Sequence, residues 1–231
     1  MYAYFNSIKK NIDEFKNADT FYDYFLQKDK TAVITIDMHK GHLDVADPNC
    51  PCPSERGNQI VEPINKFTAQ VRKLGIPVIN VRSILRKGMA DEKAFPSAWR
   101  LLFPVSVGEI PNIDQHAIEG TKWNEFGIEV DWDKDYFVNT KKRLSAFYSS
   151  DLEVLLRNLE IKTIVLVGAM TDCCVLNTCF DGANHDFRVV VPRDLTRGGE
   201  HLEEPVLQLI SYHLGLVVDS DELLQEWGKQ N

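Results

Sequence analysis

Three reactive side chains stand at or just beyond the ends of apolar runs that are typical of buried strands. Asp37 ends the first such run, Lys141 follows the third and Cys174 lies just past the fourth. A thiol can attack a carbonyl carbon, a carboxylate can move its proton, and an ammonium group can hold both anions in place. The pattern therefore indicates nucleophilic acyl transfer, with Cys174 as the nucleophile.

The position of Cys174 supports this interpretation. A helix is predicted to begin near Asp172, so Cys174 falls in its first turn, where unpaired N–H groups and the helix dipole favour a thiolate. Other interpretations stay open from the residues alone. Cys174 could be a small core hydrophobe, Asp37 a helix cap or half of a structural ion pair, and Lys141 part of a solvated basic face.

The elements that would position these residues alternate between strand and helix. An alternation of this kind predicts a three-layer α/β/α sandwich around a doubly wound, mainly parallel six-stranded sheet, in which sites lie outside the carboxyl ends of the strands. The predicted strands are Thr31–Asp37, Pro77–Val81, Tyr136–Thr140, Thr163–Gly168, Phe187–Val191 and Leu216–Val218. The predicted helices are 56–74, Ser150–Leu159, Asp172–Asn184, 202–214 and Asp221–Trp227.

Length, charge and cysteine content narrow the class of protein. The chain has 231 residues and 44 % hydrophobic residues, which fit one α/β domain. A formal net charge of −8 argues against nucleic acid or an anionic membrane as the main partner. Five cysteines, two of them adjacent, make a poor disulfide framework. We expect a protein of the cytoplasm that acts on a small molecule.

Two segments break the alternation. Residues 1–30 place aromatic residues among charges, with Ile8, Ile12 and Phe15 at helical spacing. This pattern predicts an amphipathic N-terminal extension ahead of a domain over residues 31–231, packed either on that domain or on a partner subunit. Residues 83–134 are rich in proline, glycine and aromatic residues, which predicts an insertion over the active site.

Four motifs, in order along residues 31–215, resemble those of the isochorismatase-like cysteine hydrolases. They are Ile34–Met38, His116-x-x-Glu119-Gly120-Thr121, Lys141-x-x-x-Ser145-Ala146-Phe147 and Gly168-x-x-Thr171-x-x-Cys174-Val175-x-x-Thr178. The resemblance implies hydrolysis of a C–N bond of a small linear amide by a triad of Asp37, Lys141 and Cys174. It also implies a cis peptide bond at Ala169–Met170, an oxyanion hole of the Met170 and Cys174 N–H groups, and a homo-oligomer, dimer or tetramer.

Departures from the family patterns narrow the activity. The isochorismate-cleaving members lack the nucleophilic cysteine, so amide hydrolysis is favoured over vinyl-ether hydrolysis, which stays an alternative together with a non-catalytic binding role. Nicotinamidases carry an Asp-x-His and a further histidine for a metal after the second strand. Residues 80–95 contain no histidine, and His39 is an unconvincing ligand, so neither a metal nor another cofactor is expected.

Four further residues are candidates for substrate binding. His42 stands where the family commonly has phenylalanine, and its imidazole favours a ureide or carbamoyl compound. Arg82 could hold a substrate carboxylate with its bidentate fork. Trp123 and Phe147 could wall the pocket. Each has a structural alternative. His42 could be a loop histidine, Arg82 could form an ion pair with the acidic insertion, and Trp123 and Phe147 could be packing residues.

Overall fold

A parallel sheet forms the centre of the protein. The computed structural model describes residues 24–230, in which the strands run in the order β3-β2-β1-β4-β5-β7, with the short β6 beside the end of β4. Every pairing is parallel, and this confirms the predicted doubly wound fold. The seven strands are β1 Thr31–Ile36, β2 Val78–Ser83, β3 Tyr136–Lys141, β4 Thr163–Ala169, β5 Arg188–Pro192, β6 Thr196–Arg197 and β7 Gly215–Val218.

Helices cover both faces of this sheet. Side chains alternate along a strand, so Ile34 of β1 enters one apolar core while its neighbour Val33 enters the other. Strands β1 and β4 are buried along their whole length, as their β-branched composition predicts. The α-helices are α1 Lys40–Leu43, α2 Glu55–Asn58, α3 Val61–Lys73, α4 Ala98–Val107, α5 Leu152–Asn158, α6 Leu176–Asn184, α7 Glu200–His213 and α8 Ser220–Gly228.

Three local predictions need correction. The helix predicted over 56–74 is two helices, because α2 ends before Gln59 and α3 begins at Val61. Strand β2 continues to Ser83, two residues past its predicted end. The sheet also contains β6, whose two residues are too few to show a periodicity.

The insertion over residues 83–134 is not irregular throughout. It contains α4, which the sequence did not predict because its apolar residues follow no single face and Pro104 lies inside it. Leu101, Leu102 and Val105 of α4 are exposed. The predicted N-terminal extension falls largely on residues 1–23, outside the described part of the chain, and stays a prediction. Within residues 24–230, the structure contains no helix long and apolar enough to cross a membrane.

Candidate active site

The structure brings the three predicted catalytic side chains together. The ammonium group of Lys141, at the end of β3, donates to Oδ2 of Asp37 over 2.6 Å. The same Nζ lies 3.4 Å from Sγ of Cys174. Asp37 follows β1 and Cys174 follows β4, and these two strands are neighbours in the sheet. The sheet order thus carries residues 33 to 137 positions apart in sequence to one edge.

The backbone around Asp37 holds its carboxylate in place. Asp37 has a φ of 52°, in the left-handed region that a residue other than glycine rarely adopts. Its N–H donates to the carbonyl of Val81 over 2.9 Å, and its Oδ1 accepts the N–H of Ser83 at 2.6 Å. One carboxylate oxygen is therefore bound by the end of β2 while the other faces Lys141.

A serine that sequence reasoning missed completes the surroundings of the ammonium group. Nζ of Lys141 donates to Oγ of Ser83 over 2.7 Å. Ser83 thus contacts two of the predicted catalytic residues, Asp37 through its backbone N–H and Lys141 through its hydroxyl. Its place at the carboxyl end of β2 was the available signal, but the sequence interpretation ended that strand at Val81.

Asp37 and Lys141 form a buried pair in which each residue stabilises the charged form of the other. Burial would raise the pKa of Asp37, but the Lys141 ammonium group, together with His39 and the Cys174 thiol, outweighs burial and lowers the pKa to about 2. Burial would likewise lower the pKa of Lys141, but Asp37 and the Cys174 sulfur raise it above its ordinary value. Asp37 is therefore an anion, and Lys141 a cation, across the whole physiological pH range.

Cys174 lies in the turn that links β4 to α6. This turn is a π-helical segment, Thr171–Val175, and the N–H groups of Cys173 and Val175 both donate to the carbonyl of Met170, over 3.0 and 3.1 Å. The peptide bond Ala169–Met170 is cis. Further along, the Thr178 hydroxyl donates to the Cys174 carbonyl over 2.7 Å and fixes the turn to α6.

The resting protonation of Cys174 differs from the sequence expectation. The adjacent Cys173 thiol and burial raise the pKa of Cys174 well above its ordinary range, although Lys141 opposes them. The expected lowering is wrong because an adjacent thiol and desolvation outweigh the nearby ammonium group. The thiol form of Cys174 is therefore favoured, and the ionised carboxylate of Asp37 is a proton acceptor in the same cluster.

Arg82 and Phe147 lie outside this cluster. Arg82 precedes Ser83 on β2, at a point where the pairing of β2 with β3 is irregular. Its guanidinium donates to Asn139 and to the carbonyl of Asn124, and stacks on Phe126 at 4.4 Å. Phe147 is buried in the apolar core. These contacts favour structural roles, so substrate binding by either residue stays a prediction without support from them.

Trp123 and His42 lie near the segment that follows Asp37. The carbonyl of Trp123 is hydrogen-bonded to Nδ1 of His39 at 3.0 Å, two residues beyond Asp37. His42 is buried, and its Nε2 lies 3.1 Å from Nε2 of His116. The insertion thus contacts the segment after β1 through His116 and Trp123, and its predicted position over the active site stays a prediction.

Comparison with known proteins identifies the family. The family description "Isochorismatase domain" matches residues 31–206. The chain belongs to the isochorismatase family, which is a family of hydrolases. A ureidoacrylate amidohydrolase, RutB of Methylorubrum extorquens, is 26 % identical over 204 residues, covering 83 % of this chain and 80 % of that protein.

Solved structures of family members share this fold. A cysteine hydrolase from Pseudomonas syringae pv. phaseolicola superimposes with a TM-score of 0.75 at 25 % identity, covering 88 % of this chain and 95 % of that one. The N-carbamoylsarcosine amidase of Thermoplasma acidophilum superimposes with a TM-score of 0.65 at 23 % identity, covering 83 % and 97 %. The predicted α/β/α hydrolase fold is confirmed.

Proposed function

We propose that this protein is a cysteine-dependent amidohydrolase that cleaves a C–N bond of a small linear amide, ureide or carbamoyl compound. The observation that carries the proposal is the contact chain from Asp37 to Lys141 to Cys174, with distances of 2.6 and 3.4 Å. A thiol, an ionised carboxylate and a fixed cation at the carboxyl edge of a parallel sheet suit covalent acyl transfer.

The first half of the reaction forms a thioester. Asp37 takes the proton of Cys174, and the sulfur attacks the substrate carbonyl. The N–H groups of Met170 and Cys174, at the start of the π-helical turn, would receive the oxyanion of the tetrahedral intermediate. Asp37 then gives the proton to the departing nitrogen, the C–N bond breaks, and ammonia or an amine leaves.

The second half returns the enzyme to its resting state. Asp37 takes a proton from water, and the resulting hydroxide attacks the thioester carbonyl. The C–S bond breaks, the acid product leaves, and the proton on Asp37 returns to the Cys174 sulfur. Throughout, Lys141 remains protonated, and its charge stabilises whichever of its two neighbours is anionic.

Two observations support a ureide or carbamoyl substrate. The relative RutB is named as acting on ureidoacrylate, which is a ureide. His42, which occupies a position near the acid that the family commonly fills with phenylalanine, brings a polar ring into a buried region. Both nitrogens of this ring already have partners, the Cys52 carbonyl and His116, so its support is indirect: the surroundings of Asp37 hold buried polar groups, as a substrate with several N–H and C=O groups requires.

Ammonia release from a panel of small amides tests the proposal. The panel contains biuret, carbamoylated amino acids, ureidoacrylate, maleamate and nicotinamide, each offered to wild type, Cys174→Ala and Cys173→Ala. We expect release from a ureide or carbamoyl compound by wild type and by Cys173→Ala, and none above background from Cys174→Ala. The Cys173→Ala protein is the matched control, because it removes the adjacent thiol and leaves the triad intact.

The results discriminate against the alternatives. Full ammonia release by a folded Cys174→Ala protein would refute covalent catalysis by this thiol. A folded wild-type protein that releases ammonia from none of the compounds would favour ether cleavage, which needs no thiol, or a binding role. The predicted dimer or tetramer stays a prediction, which light scattering of the purified protein would test. The predicted location in the cytoplasm also stays a prediction.

A further inference from the structure

Three histidine rings meet in a buried cluster beside the catalytic aspartate. His39 and His42 come from the turn after β1, and His116 comes from the insertion. The ring centroids are 4.6 Å apart for His39 and His42, 4.6 Å for His42 and His116, and 5.1 Å for His39 and His116. One ligand nitrogen from each ring lies within 4.8 Å of the other two.

The hydrogen bonds of two rings fix which nitrogen carries the proton. Nδ1 of His39 lies 3.0 Å from the Trp123 carbonyl, and Nδ1 of His42 lies 3.1 Å from the Cys52 carbonyl. A carbonyl oxygen can only accept, so both Nδ1 atoms carry hydrogen and both Nε2 atoms present a lone pair. Each of these rings therefore has a lone pair on Nε2 that can bind a ligand.

The cluster does not satisfy its own nitrogens. Nε2 of His39 and Nδ1 of His116 are buried without a hydrogen-bond partner. If His116 carries its hydrogen on Nε2 and donates it to His42, the lone pair on Nδ1 of His116 has no partner. If His116 instead carries its hydrogen on Nδ1, the Nε2 lone pairs of His42 and His116 face each other at 3.1 Å. Buried polar atoms without partners are uncommon and costly, so the arrangement calls for a ligand that accepts electron pairs.

The geometry suits a metal ion. We propose that His39, His42 and His116 bind a divalent transition metal, best fitted by Zn²⁺, with a fourth position open to water or substrate. Zinc sites with three histidines and one exchangeable position are a known catalytic pattern. The three ligand nitrogens lie within 4.8 Å of one another, and Nε2 of His42 and Nε2 of His116 are 3.1 Å apart, near the separation of about 3.3 Å in a tetrahedron with Zn–N bonds of about 2.0 Å. In this arrangement His116 binds the metal through Nε2 and carries its hydrogen on Nδ1.

The surroundings provide what such ligands need. Metal-bound histidines typically donate their second ring N–H to a carbonyl or carboxylate, as His39 and His42 do here. A side chain at Gly41 would approach the His39 ring and the Trp123 carbonyl to 3.0 Å, so glycine leaves room for this contact. Burial lowers the pKa of all three rings, to about 3 for His39, which keeps them in the neutral form that binds metals.

This inference reverses an expectation from the sequence and extends beyond the proposed amidase chemistry. The absence of histidine from residues 80–95 argued against a metal, and His39 was judged an unconvincing ligand. The three ligands instead combine a His-x-x-His pair after β1 with a histidine from the insertion. Because the site is defined by metal binding, it stands or falls independently of the triad's reaction.

Metal content and spectra test the site directly. The full chain is stripped with a chelator, reloaded with Zn²⁺ or Co²⁺, dialysed, and analysed by mass spectrometry of the elements and by visible absorption. His39→Gln and His116→Gln remove single ligands. His201→Gln is the matched control, because His201 is exposed on α7. Near-ultraviolet circular dichroism of every variant reports whether the fold is kept.

We expect about one zinc ion per chain in wild type and His201→Gln, at least about tenfold less in His39→Gln and His116→Gln, and a tetrahedral Co²⁺ spectrum without a thiolate charge-transfer band. We also expect Zn²⁺ to raise the melting temperature of wild type but not of the two ligand variants. Folded wild type that retains no metal would overturn the proposal. So would full retention by a folded His39→Gln and His116→Gln double variant, or a thiolate band, which would place the metal on cysteine.

Discussion

Lys141 donates to Asp37 over 2.6 Å in a part of the core where each residue is about 1 % exposed. Removing two charges from water costs several kcal/mol per ion, and their attraction offsets this cost only when the remaining donors and acceptors are paired. Here Ser83 supplies both a hydroxyl for Lys141 and an N–H for Asp37. Since two apolar residues of similar volume often fold as well as a buried ion pair, stability alone does not account for this pair.

Breaking this pair from one side should destabilise the protein strongly. Lys141→Met leaves the Asp37 carboxylate buried without its cation, and we expect the free energy of unfolding to fall by about 3–5 kcal/mol. The double variant Asp37→Asn with Lys141→Met removes both charges, so it should lose less than the sum of the two single variants. Urea denaturation of the four proteins measures the coupling. Additive losses would show that the two groups do not interact.

The same pair predicts how stability responds to acid. The pKa of Asp37 is about 2 in the folded chain and about 3.9 in an unfolded one, so between these values the unfolded chain binds more protons. The contribution of Asp37 is present above its unfolded pKa and is lost as pH falls, by about 1 kcal/mol at pH 3. We expect urea midpoints measured from pH 6 to pH 3 to fall less steeply for Asp37→Asn than for wild type. Equal slopes would mean that Asp37 has an ordinary pKa.

Ser83 should act through the position of the ammonium group. Ser83→Ala keeps the N–H that Asp37 accepts but removes the hydroxyl that accepts from Lys141 over 2.7 Å. A buried donor left without its partner costs about 1–3 kcal/mol, so we expect a loss of unfolding free energy in that range and a reduced kcat with little change in KM. Ser106→Ala, in an exposed helix position, is the control. A larger change in KM than in kcat would instead place Ser83 in substrate binding.

Sequence reasoning predicted that the three candidate catalytic residues would lie together, because the ends of buried strands can be recognised from local patterns. Asp37, Lys141 and Cys174 each follow an apolar run, and the alternation of strand and helix implies that such ends share one edge. Ser83 was missed because β2 continues two residues past its apolar run, as pairing with β3 rather than composition decides where it ends. Where a strand ends therefore depends on its pairing in the folded protein and not only on its local composition.

The histidine cluster was missed for a related reason. His39 and His42 are only three residues apart in sequence, but the third ring is 74 residues beyond His42 and is brought in by the insertion. Nothing in the composition of residues 83–134 indicates which of its turns will fold back over β1. The same holds for the pKa of Cys174, which depends on how close the Cys173 thiol lies and on burial that no periodicity reports.

The adjacent thiol gives a prediction about the reactivity of Cys174. Because the Cys173 thiol is the main cause that raises the pKa of Cys174, Cys173→Ala should lower that pKa and leave Lys141 as the dominant neighbour. We expect iodoacetamide to alkylate Cys174 faster at neutral pH in Cys173→Ala than in wild type, with the midpoint of the pH–rate profile moved to lower pH. Peptide mass spectrometry assigns the modified cysteine. A midpoint that stays in place or rises would show that burial alone sets the pKa.

Close packing between β4 and β1 makes Gly168 intolerant of any side chain. Gly168 has a φ of 120°, and a Cβ there would lie 2.3 Å from the backbone carbonyl oxygen of Ile36, the residue before Asp37. Because backbone atoms cannot move aside as a flexible side chain does, Gly168→Ala must separate the two strands that carry Asp37 and Cys174. We expect a loss of several kcal/mol in unfolding free energy, or no folded protein, and loss of ammonia release in any folded fraction.

Gly228→Ala, at the end of α8, is the matched control, because a Cβ there meets nothing within 4 Å. This control should leave both stability and turnover near wild type, with a change within about 0.5 kcal/mol. A Gly168→Ala protein as stable and active as Gly228→Ala would show that β1 and β4 do not approach as closely as their pairing requires. The register that places the nucleophile against its base would then have to be different.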